Sequence, residues 1–130
     1  MISDQFAANG FATFAPAYLN GDDIPQDALN SGTFDLMEWL SRHSASETRP
    51  VIDKLIAGLK SQGYTSFAAT GYCYGARYTV DLVVDGILKV AVVSHPSLLE
   101  VPKDLEAIKA KSIPFLWNTC ETLVILILRV

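Results

Sequence analysis

Ser66-Phe67-Ala68-Ala69-Thr70-Gly71-Tyr72-Cys73-Tyr74-Gly75-Ala76 passes from an apolar, strand-like run through a G-x-C-x-G pentapeptide, and residues 76–84 continue as a helix-like run. A sharp strand-to-helix turn of this kind lifts its central side chain above the edge of a sheet, the geometry of a nucleophile elbow. The glycines have a physical task there. The turn puts its central residue in a strained backbone conformation, and side chains at the flanking positions would collide with the adjoining strand and helix. Cysteine at the centre suits acyl chemistry, because a thiolate is a good nucleophile and a helix N-terminus favours it. Cys73 is therefore the candidate nucleophile.

Outward from this turn the chain alternates helices and strands. Residues 1–9 carry Ile2, Phe6 and Ala7 at helical spacing and stop at Gly10; residues 11–15 read as a short buried strand ending at Pro16. Asn20-Gly21-Asp22-Asp23-Ile24-Pro25 is turn chemistry. Phe34, Met37, Trp39 and Leu40 fall near one helical face, and Val51, Leu55, Ile56 and Leu59 mark a second helix that stops near Gly63. Beyond the elbow, residues 88–93 form a β-branched run, 101–111 return to helix, and 113–117 form another strand. Near-continuous apolar strands separated by helices call for a parallel sheet covered on both faces, an α/β fold in three layers, αβα. Chemistry in such sheets gathers at the carboxyl ends of the strands, where Cys73, His95 and Cys120 fall.

Composition narrows the function classes. Half of the 130 residues are hydrophobic and the net charge is −4, with no run of Lys and Arg, which argues against a nucleic-acid or anionic-membrane surface. Two cysteines make no disulfide framework, and a reducing compartment, the cytoplasm, is the simpler setting. The first ten residues carry Asp4 and no basic segment, unlike a secretory leader, and the apolar run 123–128 is too short to cross a bilayer. Asp22 and Asp23 have no His or Cys partner at ligand spacing, so no metal and no cofactor is expected.

Several stretches together resemble the dienelactone hydrolase family of α/β-hydrolases, particularly its fungal-type members. They are Ser3-Asp4-Gln5-Phe6-Ala7-Ala8-Asn9-Gly10-Phe11, Tyr18-Leu19-Asn20-Gly21-Asp22, Gly71-Tyr72-Cys73-Tyr74-Gly75, Ser94-His95-Pro96-Ser97 and Trp117-Asn118-Thr119-Cys120-Glu121. The resemblance covers residues 1–121, and 122–130 form a divergent apolar tail. It implies a Cys-His-Asp hydrolase acting on a small-molecule ester or lactone. Cys73 would attack the carbonyl, and the Tyr74 backbone N–H would help hold the oxyanion. A histidine would act as base, oriented by an aspartate. The family's acid falls at the position held here by Leu123, and its histidine lies beyond the residues that match. The domain is thus expected to be a partial α/β-hydrolase, missing the first strands and the C-terminal part. That leaves two readings: a cysteine hydrolase, or a catalytically inactive fragment or pseudoenzyme that acts as a binding module.

The remaining candidates read more plainly. His95 is expected to be a structural residue of its Ser94–Ser97 turn, and His43, in a polar stretch, a solvated helix end. Cys120 reads as a small buried hydrophobe, Glu121 as an exposed strand-end carboxylate and Asp22 as a solvated loop residue. Tyr72, Tyr74 and Tyr78 are pocket candidates, with Tyr78 equally suited to the helix core. No histidine is expected within hydrogen-bond reach of the Cys73 sulfur. With early strands absent, residues 11–15 and the 123–128 tail would be open to pairing with other chains.

Overall fold

The computed structural model describes residues 1–119. The chain divides into two compact units, Met1–Gly63 and Tyr64–Val130. Cys120, Glu121 and the tail 122–130 lie outside the described residues.

The first unit is helical. Helix α1 (Ile2–Ala8) ends in a reversal at Gly10, where φ is +87°. Short α2 (Ala28–Ser31) precedes α3 (Leu36–Arg42), whose first turn is capped by the Asp35 carboxylate accepting from the Glu38 N–H at 2.9 Å. Trp39 is buried on α3, but Met37, placed by spacing on the same face, is exposed. Helix α4 (Ala45–Ser61) buries Thr48, Ile52 and Leu59, one stripe at helical spacing.

The expected strand at residues 11–15 does not form. The segment joins none of the ladders described, and Phe11 and Phe14 are exposed. Local contacts explain the outcome. The Phe11 N–H donates to the Phe6 carbonyl at 3.3 Å, and the two rings meet edge to face at 6.3 Å. The start of the apolar run thereby closes the end of α1, and a strand gains its ladder bonds only from a partner.

The second unit has the expected α/β architecture. Strands β1 (Phe67–Tyr72), β2 (Leu88–Ser94) and β3 (Phe115–Asn118) form a parallel sheet in the order β1-β2-β3. Helices α5 (Tyr74–Val84) and α6 (Lys103–Lys111) make the two crossovers. Thr70 lies opposite Val92, and Val92 opposite Leu116. Side chains alternate across the sheet: Ala91 and Val93 are fully buried, while Val90 and Leu116 point to the other face and are exposed. The core joins Ala76 and Val80 of α5 to Val93 and Leu99, with Ile108, Phe115 and Trp117 packed against them. Because all strands run the same way, the ends of β1, β2 and β3 open onto one edge.

Candidate active site

Cys73 stands between β1 and α5, as the N-cap of the helix, with φ 48° and ψ −117°. Only glycine adopts such a conformation freely, so a non-glycine residue here is held under backbone strain. The helix starts two residues earlier than the sequence pattern suggests, so that Tyr74 is its first residue. First-turn N–H groups have no carbonyl one turn back to bond and point out of the helix end. The Tyr74 N–H thus belongs to the turn that carries the thiol.

Strain at Cys73 gives a test in which an ordinary order reverses. Alanine usually stabilises a protein relative to glycine by about 0.5–1 kcal/mol. At position 73 we expect Cys73→Gly to be more stable than Cys73→Ala, by about 1 kcal/mol, because glycine releases a strain that alanine keeps. Urea unfolding of the two variants decides it; the usual order would mean that the turn is relaxed.

The elbow is fastened to the neighbouring strand and its loop. The Cys73 N–H donates to the Ser94 carbonyl at 3.1 Å, while the Cys73 carbonyl accepts from Ala76 N–H at 3.1 Å and from Ser97 N–H at 3.3 Å. The His95 N–H reaches the Asn118 carbonyl at 2.8 Å, and Asn118 Nδ2 donates to Ser94 Oγ at 3.4 Å. One sheet edge therefore gathers Cys73, the 94–97 turn and the end of β3. The thiol itself is exposed.

Among the described residues, the hydrogen-bonding neighbour of the Cys73 sulfur is the Ser97 hydroxyl, at 4.0 Å, and no histidine takes that place. His95 sits at a positive φ of 39°, its ring 6.3 Å from that of Tyr72. Of the three tyrosines, Tyr72 is exposed. Tyr78 is core, and the Tyr74 hydroxyl meets the Tyr78 hydroxyl at 2.8 Å.

His43 departs from expectation, whereas Asp22 is the exposed loop residue expected. His43 is only 7% exposed. Its ring stacks on Trp39 at 4.1 Å, its Nδ1–H donates to the Trp39 carbonyl at 2.8 Å, and Nε2 lies 3.5 Å from Asp22 Oδ2. Asp22 also receives Arg42 at 3.2 Å, and its carbonyl accepts from Trp39 Nε1–H at 2.9 Å. These contacts pin the 20–25 turn to α3 and account for the burial of the His43 ring. The Trp39-x-x-x-His43 spacing, one helical turn, was the available signal.

An ion-pair hub beneath the elbow had no place in the sequence reading. Arg77 on α5 binds Asp81 one turn on, with Nη2 at 2.7 Å, and forks onto both oxygens of Asp104 in α6, Nη2 to Oδ1 at 3.1 Å and Nη1 to Oδ2. Arg77 Nη1 also donates to the Leu98 carbonyl at 3.3 Å, and Asp104 accepts from Glu100 N–H at 2.6 Å. Burial disfavours both charges, raising the carboxyl pKa of Asp104 and lowering that of Arg77. Their mutual hydrogen bonds, with Glu100 N–H and Asp81, outweigh it, so Asp104 is held below the usual carboxylate range and Arg77 is pushed above its ordinary value.

Among known proteins, the chain is 36% identical over 110 residues to "Hydrolase pyvD" of Aspergillus violaceofuscus, covering 84% of this chain and 44% of that protein. "Hydrolase tropI" of Talaromyces stipitatus is 30% identical over 119 residues, 84% of this chain and 45% of the relative. "Dienlactone hydrolase 1" of Gibberella moniliformis is 30% identical over 106 residues, 76% of this chain and 41% of the relative. The chain thus spans less than half the length of these relatives. No solved structure matches it. Among the described residues no helix is long and apolar enough to cross a membrane. The model of the dienelactone hydrolase family matches residues 1–122, and with the parallel sheet and its strand–turn–helix in place, the chain belongs to that family as a partial α/β-hydrolase domain.

Proposed function

We propose that this chain carries the nucleophile-bearing part of a hydrolase that opens a lactone or cleaves a carboxylic ester through Cys73. The carrying observation is Cys73 at positive φ between a parallel strand and the first residue of α5, exposed at the sheet edge. In this reaction the thiolate adds to the carbonyl carbon. The carbonyl oxygen becomes an oxyanion facing the Tyr74 N–H, an interaction stronger in the transition state than in the ground state. Collapse expels the alkoxide and leaves a thioester on Cys73, which water then hydrolyses. Both the departing alkoxide and the attacking water need a proton carrier. A free thiol fits a reducing compartment, so we place the protein in the cytoplasm.

A second reading has its own support. Among the described residues the hydrogen-bonding neighbour of the sulfur is the Ser97 hydroxyl and not a histidine, and that favours the other reading. On that reading the chain is a catalytically inactive binding module of the same descent.

An activated aryl ester separates the readings. We expect a thioester adduct on the Cys73-containing peptide, detected by mass spectrometry and absent from Cys73→Ala, with steady turnover near background. No adduct under conditions where Cys73 is freely alkylated would overturn the nucleophile assignment. Turnover at ordinary enzyme rates, on the order of 10 per second, that is abolished by Cys73→Ala would instead remove the binding-module reading.

A further inference from the structure

We infer that Ser97 is a positioning residue for Cys73, its hydroxyl supporting the sulfur as a thiolate and its backbone holding the elbow in place; this rests on the nucleophile reading above. Two separate bonds tie the residue to the same turn. Its N–H donates to the Cys73 carbonyl at 3.3 Å, and its Oγ lies 4.0 Å from Sγ. A thiolate carries no hydrogen, so in the ionised pair the serine must donate and the sulfur accept. Donation to the charged form favours that form. At this separation the bond is long, so its effect is smaller than that of a close charge-assisted contact.

The position of Ser97 is fixed from both sides. Before it, Pro96 is fully buried and His95 N–H is bonded to the end of β3. After it, the Leu98 carbonyl accepts from Arg77, Leu99 enters the core, and Glu100 N–H is held by Asp104. Arg77 lies one turn into the helix that begins at the elbow. The 95–100 loop is therefore a strap tied to β3 at its start and to α5 and α6 at its end, and Ser97 is where it crosses the sulfur. Tethering at consecutive points holds the Ser97 backbone beside the thiol.

Alkylation of Cys73 by iodoacetamide tests this without any need for ester turnover. Rates are followed on the Cys73-containing peptide from about pH 6 to about pH 10 in the full chain, since only the thiolate reacts. Ser97→Ala should slow alkylation near neutral pH about three- to tenfold, and the difference should vanish at high pH, where both thiols are ionised. Ser97→Thr, which keeps the hydroxyl, should stay within about twofold of the natural chain. Should Ser97→Ala fail to fold, Ser97→Thr against Ser97→Val reads the same contrast, because the two differ by hydroxyl and methyl. Equal rates for hydroxyl-bearing and hydroxyl-free variants overturn the inference. So does a slowing that persists unchanged to high pH, which would be a structural effect. If the rates respond to Ser97 as expected while the aryl ester leaves no adduct, the pairing stands and the hydrolase reading falls.

Discussion

Asp104→Ala is expected to destabilise the second unit by roughly 3–5 kcal/mol, the range for removing one partner of a buried ion pair. The Asp104 carboxylate is 9% exposed and the Arg77 guanidinium side chain 16%. Without Asp104, the Arg77 charge keeps Asp81 but loses its bidentate partner, and Glu100 N–H loses its acceptor at a half-buried position. The loss reflects a charge left partly desolvated, not the net worth of the pair. A cycle with Arg77→Met makes the distinction: the double variant Arg77→Met, Asp104→Leu should recover much of the loss, because an apolar pair leaves nothing unpaired.

The same pair sets an acid limit. Asp104 has a folded-state pKa below its unfolded value, so its contribution is fully present above the ordinary carboxylate range near pH 4. It is lost as pH falls through the depressed folded value. Urea midpoints measured from about pH 6 downwards should therefore fall for the natural chain and stay flatter below about pH 4 for Asp104→Asn. Parallel curves would mean that the carboxylate carries no such linkage.

Arg77 and Asp104 also show where sequence reading stops. They are 27 residues apart, and each alone looks ordinary, an arginine on a helix and an acid in a first turn. What makes them a unit is the packing of α5 beside α6, which no local pattern encodes. Residues 11–15 failed for the converse reason: the apolar run was real, but strand formation depends on a partner elsewhere, whereas the contacts to Phe6 were at hand. His43 was hidden by its polar neighbours, although Trp39 one turn earlier supplies the surface that buries it. The elbow was legible because its determinants are contiguous. A glycine pair, an apolar run before and a helical run after specify it within about twenty residues. Ser97 lay between these cases. Its turn stood out in the sequence, but the direction of its hydroxyl depends on a loop anchored at Arg77.

Gly71→Ala is the substitution with the most direct consequence for both fold and chemistry. A methyl group built at Gly71 meets the Ala76 Cα at 2.8 Å, the Gly75 carbonyl oxygen at 2.9 Å and the Thr79 hydroxyl oxygen. Thr79 could rotate away, but the other two atoms are backbone of the elbow and of α5 and have no rotamer to change. Relief requires α5 to lift from β1, and Ala76 is fully buried in the core beside Val80 and Val93. Forced overpacking of this kind costs about 1–3 kcal/mol, and two fixed backbone contacts put this site at about 3 kcal/mol. The chemical effect should exceed the stability effect. Lifting the helix shifts the Tyr74 N–H and the Cys73 sulfur together, and a misplacement of about 1 Å costs on the order of a hundredfold in rate. The expected result is a folded but destabilised chain whose Cys73 is still alkylated by iodoacetamide and no longer acylated by the aryl ester. Full acylation with unchanged urea stability would show that β1 and α5 do not need the close approach that Gly71 permits.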